Sequence, residues 1–566
     1  MKNIEPKKEY DVVVIGAGVA GLTAAALLCR AGKSVCVLEM DTRPGGYLAG
    51  FKRMNFRFDS AIHWLNQCGP KGMVTKVFDL IGTDHPRPVT QDVIKRFVGT
   101  KFNYLLTSDP DKLRDEWIAE FPNEKAGLIR FFEDAKKLGR SFDRASELFR
   151  STETMNLFGK ALAGMKRLRF ALPFIKHIAY SGDAGITKGL NRYFKEKQLH
   201  EVFCTEPDVL SCLVPIAWAY YSDYQRPPHG GSQVIPEWLN YATAQMGGEV
   251  FYRTKVKEVL VENNTAKGVV VENNKTDLTI KSDYIIAACD VMALYERMLP
   301  KGSVPSSLID KLKDAELYSS SVTVQLALDC TVGSLGFGDE MLYLAEEGLP
   351  RKVYGDGNPH TAGISVLAPS LRDPSLSPDG HGTLTIYVAG HLEYEDYWKT
   401  EIGENGKRTR GDAYKKFKKE YADILVKRVE KAFAPGLSEH ILYCDIATPI
   451  THERYTGNYA GSIMGARPGK KNMQAKVAHY QTPVKNLLLG GHWAELGGGV
   501  PIAVKAATNA TLLLLKKDSP ELFQLLANYF DQNADLNELQ ESNMLKPYLA
   551  NWKQSLTPAE VLREKG

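Results

Sequence analysis

The sequence predicts an α/β fold, a parallel sheet flanked by helices with an α+β region inserted into it, and three segments carry that prediction. Residues 12–15 (VVVI) form an apolar run that passes through Gly16, Gly18 and Gly21 into an Ala-rich stretch. Residues 228–231 (PHGG) precede an apolar-periodic stretch, 232–246, then Gly247 and Gly248 and an alternating stretch, 249–261. Residues 486–516 hold a third apolar run, 487–489, followed by Gly497, Gly498 and Gly499 and a long apolar stretch. Buried runs alternating with helix-period stretches are the pattern of a parallel sheet with crossover helices.

In the first segment each glycine of GxGxxG has a separate steric task. Gly16 permits the tight turn, Gly18 lets backbone approach a pyrophosphate, and Gly21 lets the helix pack on the strand. The helix N-terminus then offers amide donors and a positive dipole end to the phosphates. Glu39 ends the next apolar run, 34–38, at the distance where an acid accepts hydrogen bonds from a ribose diol and disfavours a 2′-phosphate. The cofactor is therefore a dinucleotide without that phosphate.

Arg43, Pro44, Gly45 and Gly46 follow, and this second glycine pair resembles the continuation seen in the FAD-binding superfamily that includes amine oxidases and carotenoid desaturases. The resemblance implies FAD and a Rossmann-like FAD-binding domain of that type. The second segment is similar to the superfamily's next block: strands at 267–271 and 279–286, a polar turn at 272–275, and a further short buried strand at 284–288. By that likeness Val256 contacts the adenine through its backbone. In the third segment, Gly498, Gly499 and Val500 open a helix with Pro501 in its first turn. Its amides can donate to a flavin carbonyl or ribityl oxygen, and its dipole favours negative charge gained on flavin reduction.

Over nearly its whole length the chain resembles the phytoene desaturase, carotenoid isomerase and retinol saturase group of flavoproteins. Three stretches carry the likeness: GAGVAG with Glu39 and RPGG; 56–63 (FRFDSAIH); and 448–465 (TPITHERYTGNYAGSIMG). The chain departs from the group twice. Ala61 stands where a glycine is usual, and His492, after Gly491, stands where an acid is usual. An imidazole at His492 can still donate to a ribityl hydroxyl.

These stretches place a discontinuous FAD-binding domain in 1–84, 226–291 and 441–520. A substrate domain with possible membrane contact falls in 85–225 and 292–440, and a C-terminal helical tail in 521–566. The resemblance implies a long apolar tunnel lined by 215–224 and by strands near 322–328 and 383–388, for an apolar polyene or isoprenoid lipid. Flavin accepts or donates a hydride at carbon, so such a site needs positioning, dryness and one proton-handling group at most. His63, Trp493 and Glu495 are the candidates nearest the flavin-binding turns. Arg454 and Tyr455 would shape the tunnel mouth.

Composition excludes several classes. The chain has 566 residues, 44% of them hydrophobic, enough for more than one core. Its 71 basic and 67 acidic side chains leave a net charge of +4, which argues against nucleic acid as a partner. The eight cysteines include no CxxC pair, so no metal site is expected and reduced thiols of a cytoplasmic protein are. No cysteine follows Cys444, which excludes a covalent flavin link near the C-terminal motif. No apolar run is long enough to span a bilayer and no signal peptide is evident. Residues 159–177 (GKALAGMKRLRFALPFIKH) are apolar and basic without an acid, which suits a helix, ended by Pro173, lying on an anionic membrane surface. No second GxGxxG occurs, so electrons pass to or from a diffusing donor or acceptor. Direction of reaction stays open among desaturation, saturation and isomerisation. Two alternatives remain: a flavoenzyme acting on another apolar substrate, such as an amine or a fatty acyl chain, and a non-enzymatic prenyl-lipid carrier like the Rab escort proteins.

Overall fold

The computed structural model describes residues 6–273, 276–403 and 408–552. Strand Glu9–Ile15 lies at the centre of a seven-stranded sheet, with Val35–Leu38 parallel on one side and Thr276–Ala287 parallel on the other. Beyond them come Glu249–Phe251 on one edge and the antiparallel pair Thr265–Asn273 and Thr254–Glu262 on the other, while Leu487–Leu489 joins Thr276–Ala287 in parallel. All three predicted segments thus meet in one sheet.

Two corrections to the predicted elements arise here. The stretch 284–288 does not form a separate strand: Thr276–Ala287 is continuous, pairing with Thr265–Asn273 through Lys281 and with Glu9–Ile15 from Lys281 onward. Its polar middle does not interrupt it, because Ser282 is buried where the strand changes partners. The predicted turn at 272–275 lies partly outside the described residues.

The fingerprint helix, Val19–Arg30, is buried at every residue, clamped between the sheet and the apolar helix Gly499–Asp518. The C-terminal region packs on this half. Helix Pro520–Phe530 follows directly, and the Tyr548 hydroxyl donates to Asp84 at 2.9 Å.

A second seven-stranded sheet runs Ile441–Ala447, Ser320–Leu328, Gly382–Gly390, Ile364–Leu367, Met341–Leu344, Val93–Val98 and Asn103–Thr107. It draws strands from both inserted stretches. Strand Ile441–Ala447, on the cofactor side of the expected boundary at 441, pairs with Ser320–Leu328 in this sheet. Helices cover the Asn103–Thr107 end around a third apolar cluster that includes Trp117, Phe131 and Leu213.

Helix Leu157–Ile178 corrects another expectation, for Pro173 lies inside it rather than at its end. Proline removes one intrahelical hydrogen bond. The carbonyl it frees, that of Arg169, lies on an exposed residue that water can reach. Asn156 caps the helix start, its side chain accepting from the Gly159 amide at 2.8 Å. Among the described residues no helix is long and apolar enough to cross a membrane.

Candidate active site

The cradle at the sheet's carboxyl edge is built from glycines that meet. Gly16 has φ +102°, and a Cβ there would lie 3.2 Å from the Ala288 carbonyl oxygen. A Cβ on Gly21 would lie 1.9 Å from the Gly16 carbonyl oxygen, so helix and turn touch backbone to backbone. Gly18 differs: nothing lies within 4 Å of where its Cβ would be, leaving open space at the helix N-terminus. The second pair closes one wall, since the Gly45 amide donates to the Ala17 carbonyl at 2.9 Å and a Cβ on Gly46 would lie 3.5 Å from Gly18 Cα.

Glu39 stands beside this space. One carboxylate oxygen accepts from the Ala17 amide at 2.7 Å and the other from the Asp41 amide at 2.8 Å. Burial pushes its pKa up, and the two amides pull it back. Each oxygen keeps a further lone pair for a ribose hydroxyl. The Thr254 amide donates to the Glu39 carbonyl at 2.8 Å, which anchors the start of the strand that carries buried Val256.

The third segment arrives through Ala288. The Gly490 amide donates to the Ala287 carbonyl at 2.9 Å, and a Cβ on Gly491 would lie 3.4 Å from Ala288 Cα. His492 is packed so closely on Gly465 that a Cβ there would lie 2.6 Å from its ring. Burial holds the imidazole neutral, its pKa lowered to about 4. Gly498 caps helix Gly499–Asp518 and lies under Met464, whose sulfur would be 2.1 Å from a Cβ at that position. Val500 is buried in the first turn.

The stretch 448–465 connects these parts. The Tyr47 hydroxyl, next to Gly46, donates to the Ser462 carbonyl at 2.9 Å. Buried Asp290 accepts from the Tyr459 amide at 2.9 Å, and His452 Nε2 lies 3.1 Å from the Ser321 hydroxyl on the second sheet. The motif therefore sits at the junction between the sheets. Arg454 stacks over Tyr455, itself exposed, at 4.2 Å.

The three candidate catalytic residues do not form one cluster. His63 stacks on Tyr387 of the second sheet, with ring centroids 3.9 Å apart and planes 8° from parallel. Burial and the Arg372 cation lower its pKa to about 3, so it is an uncharged imidazole at neutral pH. A small cavity of about 30 Å³ adjoins it, lined also by Asp59, Arg226, Arg372, Asp373 and Thr385. Trp493 is buried against His492. Glu495 accepts from the Tyr480 hydroxyl at 2.6 Å and from Lys505 at 3.3 Å. Among the described residues His63 shares no hydrogen bond or ring contact with the other two.

Asp59 belongs to the site although sequence reasoning did not single it out. Its Oδ1 accepts from the Ser232 amide and hydroxyl, both at 2.8 Å, and burial raises its pKa to about 6. The signal was present, since Asp59 lies in FRFDSAIH and Ser232 follows PHGG, but their contact spans 173 residues.

The residues present fit a flavin dinucleotide. The Gly18 space faces a helix N-terminus, Glu39 keeps free lone pairs, and three buried nitrogens by the glycine turns, Arg43 Nε, His492 Nε2 and Trp493 Nε1, have no hydrogen-bond partner among the described residues. A bound flavin and its phosphates would offer such nitrogens acceptors.

Fold and cradle together define a flavin-dependent oxidoreductase. The chain belongs to the flavin containing amine oxidoreductase family, which it matches over residues 19–513. It is 25% identical to the all-trans-retinol 13,14-reductase of Danio rerio over 548 residues, covering 92% of this chain and 88% of that protein. It is likewise 25% identical to the chloroplastic prolycopene isomerase of Daucus carota, covering 80% of this chain and 72% of that protein. Among solved structures, putrescine oxidase bound to putrescine superposes with a TM-score of 0.55 at 14% identity, covering 90% of this chain and all (100%) of that chain. The last likeness concerns fold alone.

Proposed function

We propose that the protein acts on a carbon–carbon double bond of an apolar polyene or isoprenoid lipid, taken from a membrane surface. The relatives' substrates, retinol and prolycopene, suggest that class. The observation that carries it to this chain is a series of aromatic contacts from the surface helix Leu157–Ile178 to the cavity beside His63. Phe174 contacts Phe142 at 5.4 Å, Phe142 contacts Trp218 at 5.7 Å, and Trp218 contacts Tyr224 at 5.7 Å. Tyr224 contacts Trp64 at 6.3 Å, which leads to His63 at 6.4 Å and so to Tyr387. Such rings bind an unsaturated chain by apolar and stacking contact along its length.

Bound flavin supplies hydride transfer at carbon. The chain's residues position the substrate and keep water out. Neutral His63 and Tyr387 make a flat wall, and Trp493 helps seal the cofactor side. Glu495, held by Tyr480 and Lys505, is the one of the three that offers a carboxylate for proton movement. The cavity at His63 holds about 30 Å³, room for roughly one water, whereas ligand pockets run to several hundred Å³. The substrate therefore enters by displacing rings of this wall. Electrons pass to or from a diffusing partner.

The exposed face of Leu157–Ile178 is the proposed membrane contact. Phe158, Leu162, Met165, Leu168, Leu172 and Ile175 recur at three- and four-residue spacing and are exposed, Phe158 by 80%. Lys160, Lys166, Arg167, Arg169 and Lys176 flank them. A stripe of this kind suits the interface of an anionic bilayer.

Trp218→Gln, with flavin content as the folding control, tests the route. Polyene binding about tenfold weaker at unchanged flavin content is expected. Unchanged polyene binding, or turnover of putrescine by the wild-type protein in place of a polyene, overturns the reading.

A further inference from the structure

Beside the proposed membrane helix lies an open cleft of about 280 Å³, lined by Arg130, Glu133, Asp134, Lys137, Lys176, Arg192 and Tyr193. Four cations face two carboxylates there. Asp134 organises one side: it accepts from Lys176 at 2.6 Å, from the Tyr193 hydroxyl at 2.7 Å and from Lys137 at 3.3 Å. Burial raises its pKa, and these donors more than reverse that, so it stays ionised. Arg130 and Arg192 are different. Arg130 donates to the Arg192 carbonyl at 3.3 Å and Arg192 to the Tyr180 hydroxyl at 2.9 Å, and among the described residues neither guanidinium pairs with a carboxylate. Planar forks without an acid are suited to a phosphate. Lys176 ties the cleft to the apolar stripe, since its neighbours Ile175 and Ile178 are both more than half exposed.

We propose that this cleft binds the phosphate of an anionic lipid headgroup while the adjoining apolar stripe enters the acyl layer. This rests on the membrane contact proposed above and adds a specific headgroup site to it. The volume holds a glycerophosphate, and the net positive lining repels the choline of a zwitterionic lipid. The headgroup would fix the helix end carrying Phe174, where the aromatic route begins.

The test is co-sedimentation of the flavin-loaded protein with phosphatidylcholine vesicles, with and without phosphatidylglycerol, beside calorimetry with inorganic phosphate and glycerol 3-phosphate. Phosphatidylglycerol should strengthen binding, and Arg130→Gln with Arg192→Gln should weaken that binding about 10- to 30-fold while leaving binding to phosphatidylcholine alone unchanged. Arg192→Lys, which keeps the charge, should lose much less. A double variant that retains the full gain from phosphatidylglycerol overturns the cleft as the site. Tight binding of the soluble phosphates with no gain from phosphatidylglycerol assigns the cleft to a free phosphate compound and overturns the lipid assignment. If neither vesicle recruits the wild-type protein, the membrane contact itself fails, an outcome separate from loss of the cleft alone.

Discussion

Gly45 lies beside Gly18: its amide donates to the carbonyl of Ala17 at 2.9 Å, so the second glycine pair forms one wall of the space in front of the fingerprint helix. That contact lets glycines of one motif be tested separately. Gly18 has ordinary extended backbone, φ −68°, and open space around its missing side chain. Gly18→Leu should therefore leave thermal stability of the flavin-free protein nearly unchanged while flavin retention falls by at least about 100-fold, roughly 3 kcal/mol. Gly21→Ala, which would drive a methyl to 1.9 Å from the Gly16 carbonyl, should lose the fold along with the flavin. Melting curves and flavin absorbance of the two variants check both halves.

His63 should not titrate in catalysis. Its pKa, lowered to about 3 by burial and Arg372, leaves it neutral throughout the pH range of assay. His63→Phe preserves the stacked ring against Tyr387. The pH–rate profiles of wild type and variant between about pH 5.5 and 8 should have the same shape, whereas a general acid–base histidine would remove an inflection on substitution.

Acid should destabilise the protein through its buried imidazoles. In the folded state the pKa values of His177, His452 and His492 are lowered to about 4, below the unfolded value near 6.5. The folded protein then binds fewer protons than the unfolded one, so the stability these groups contribute is present above about pH 6.5 and lost as pH falls towards 4. Asp59 and Asp223, raised to about 6, act in the opposite sense. Denaturant titrations at pH 7 and pH 5.5 should show His452→Gln losing about 1 kcal/mol less than wild type over that interval.

How much of this was legible in the sequence depended on how local the signal was. The glycine turn declares itself through Gly21, whose constraint is the Gly16 carbonyl inside its own strand–turn–helix, whereas Gly16 is also confined by Ala288, remote in sequence. Gly46 and Gly18 could be named singly, but their meeting could not be read from either. Of the proposed aromatic route, the stretches 215–224 and 383–388, which hold Trp218 and Tyr387, were named from the resemblance, but Trp64 and Phe142 were not, because each meets its partners only through tertiary packing. Pro173 was read as a helix end by its usual effect, which an exposed helix tolerates at the cost of one hydrogen bond. Glu495 was chosen for its nearness to Gly497 in sequence; the structure commits it to Tyr480 and Lys505.

The apolar stripe should matter to lipid and not to folding. Met165, Leu168 and Leu172 are each more than half exposed, so changing all three to Ser should leave the melting temperature within about 1 °C of wild type. Partition into phosphatidylcholine vesicles should fall on the order of 100-fold, at roughly 1 kcal/mol for each side chain withdrawn. Co-sedimentation at low and high salt separates this loss from that of the basic residues.

The central claim is an apolar polyene reacting beside a bound flavin, and anaerobic absorption spectroscopy of the purified protein tests it most directly. The account predicts oxidised-flavin bands that bleach with reductant, and a polyene band that shifts when retinol or an all-trans carotenoid in detergent is added to the reduced flavin or, in a parallel sample without reductant, to the oxidised flavin that desaturation requires as electron acceptor. A shorter wavelength would mark saturation, a longer one desaturation, and a small shift without net flavin oxidation isomerisation. A protein that binds no flavin, or one whose reduced flavin is reoxidised by an imine but leaves every polyene band in place, would contradict it.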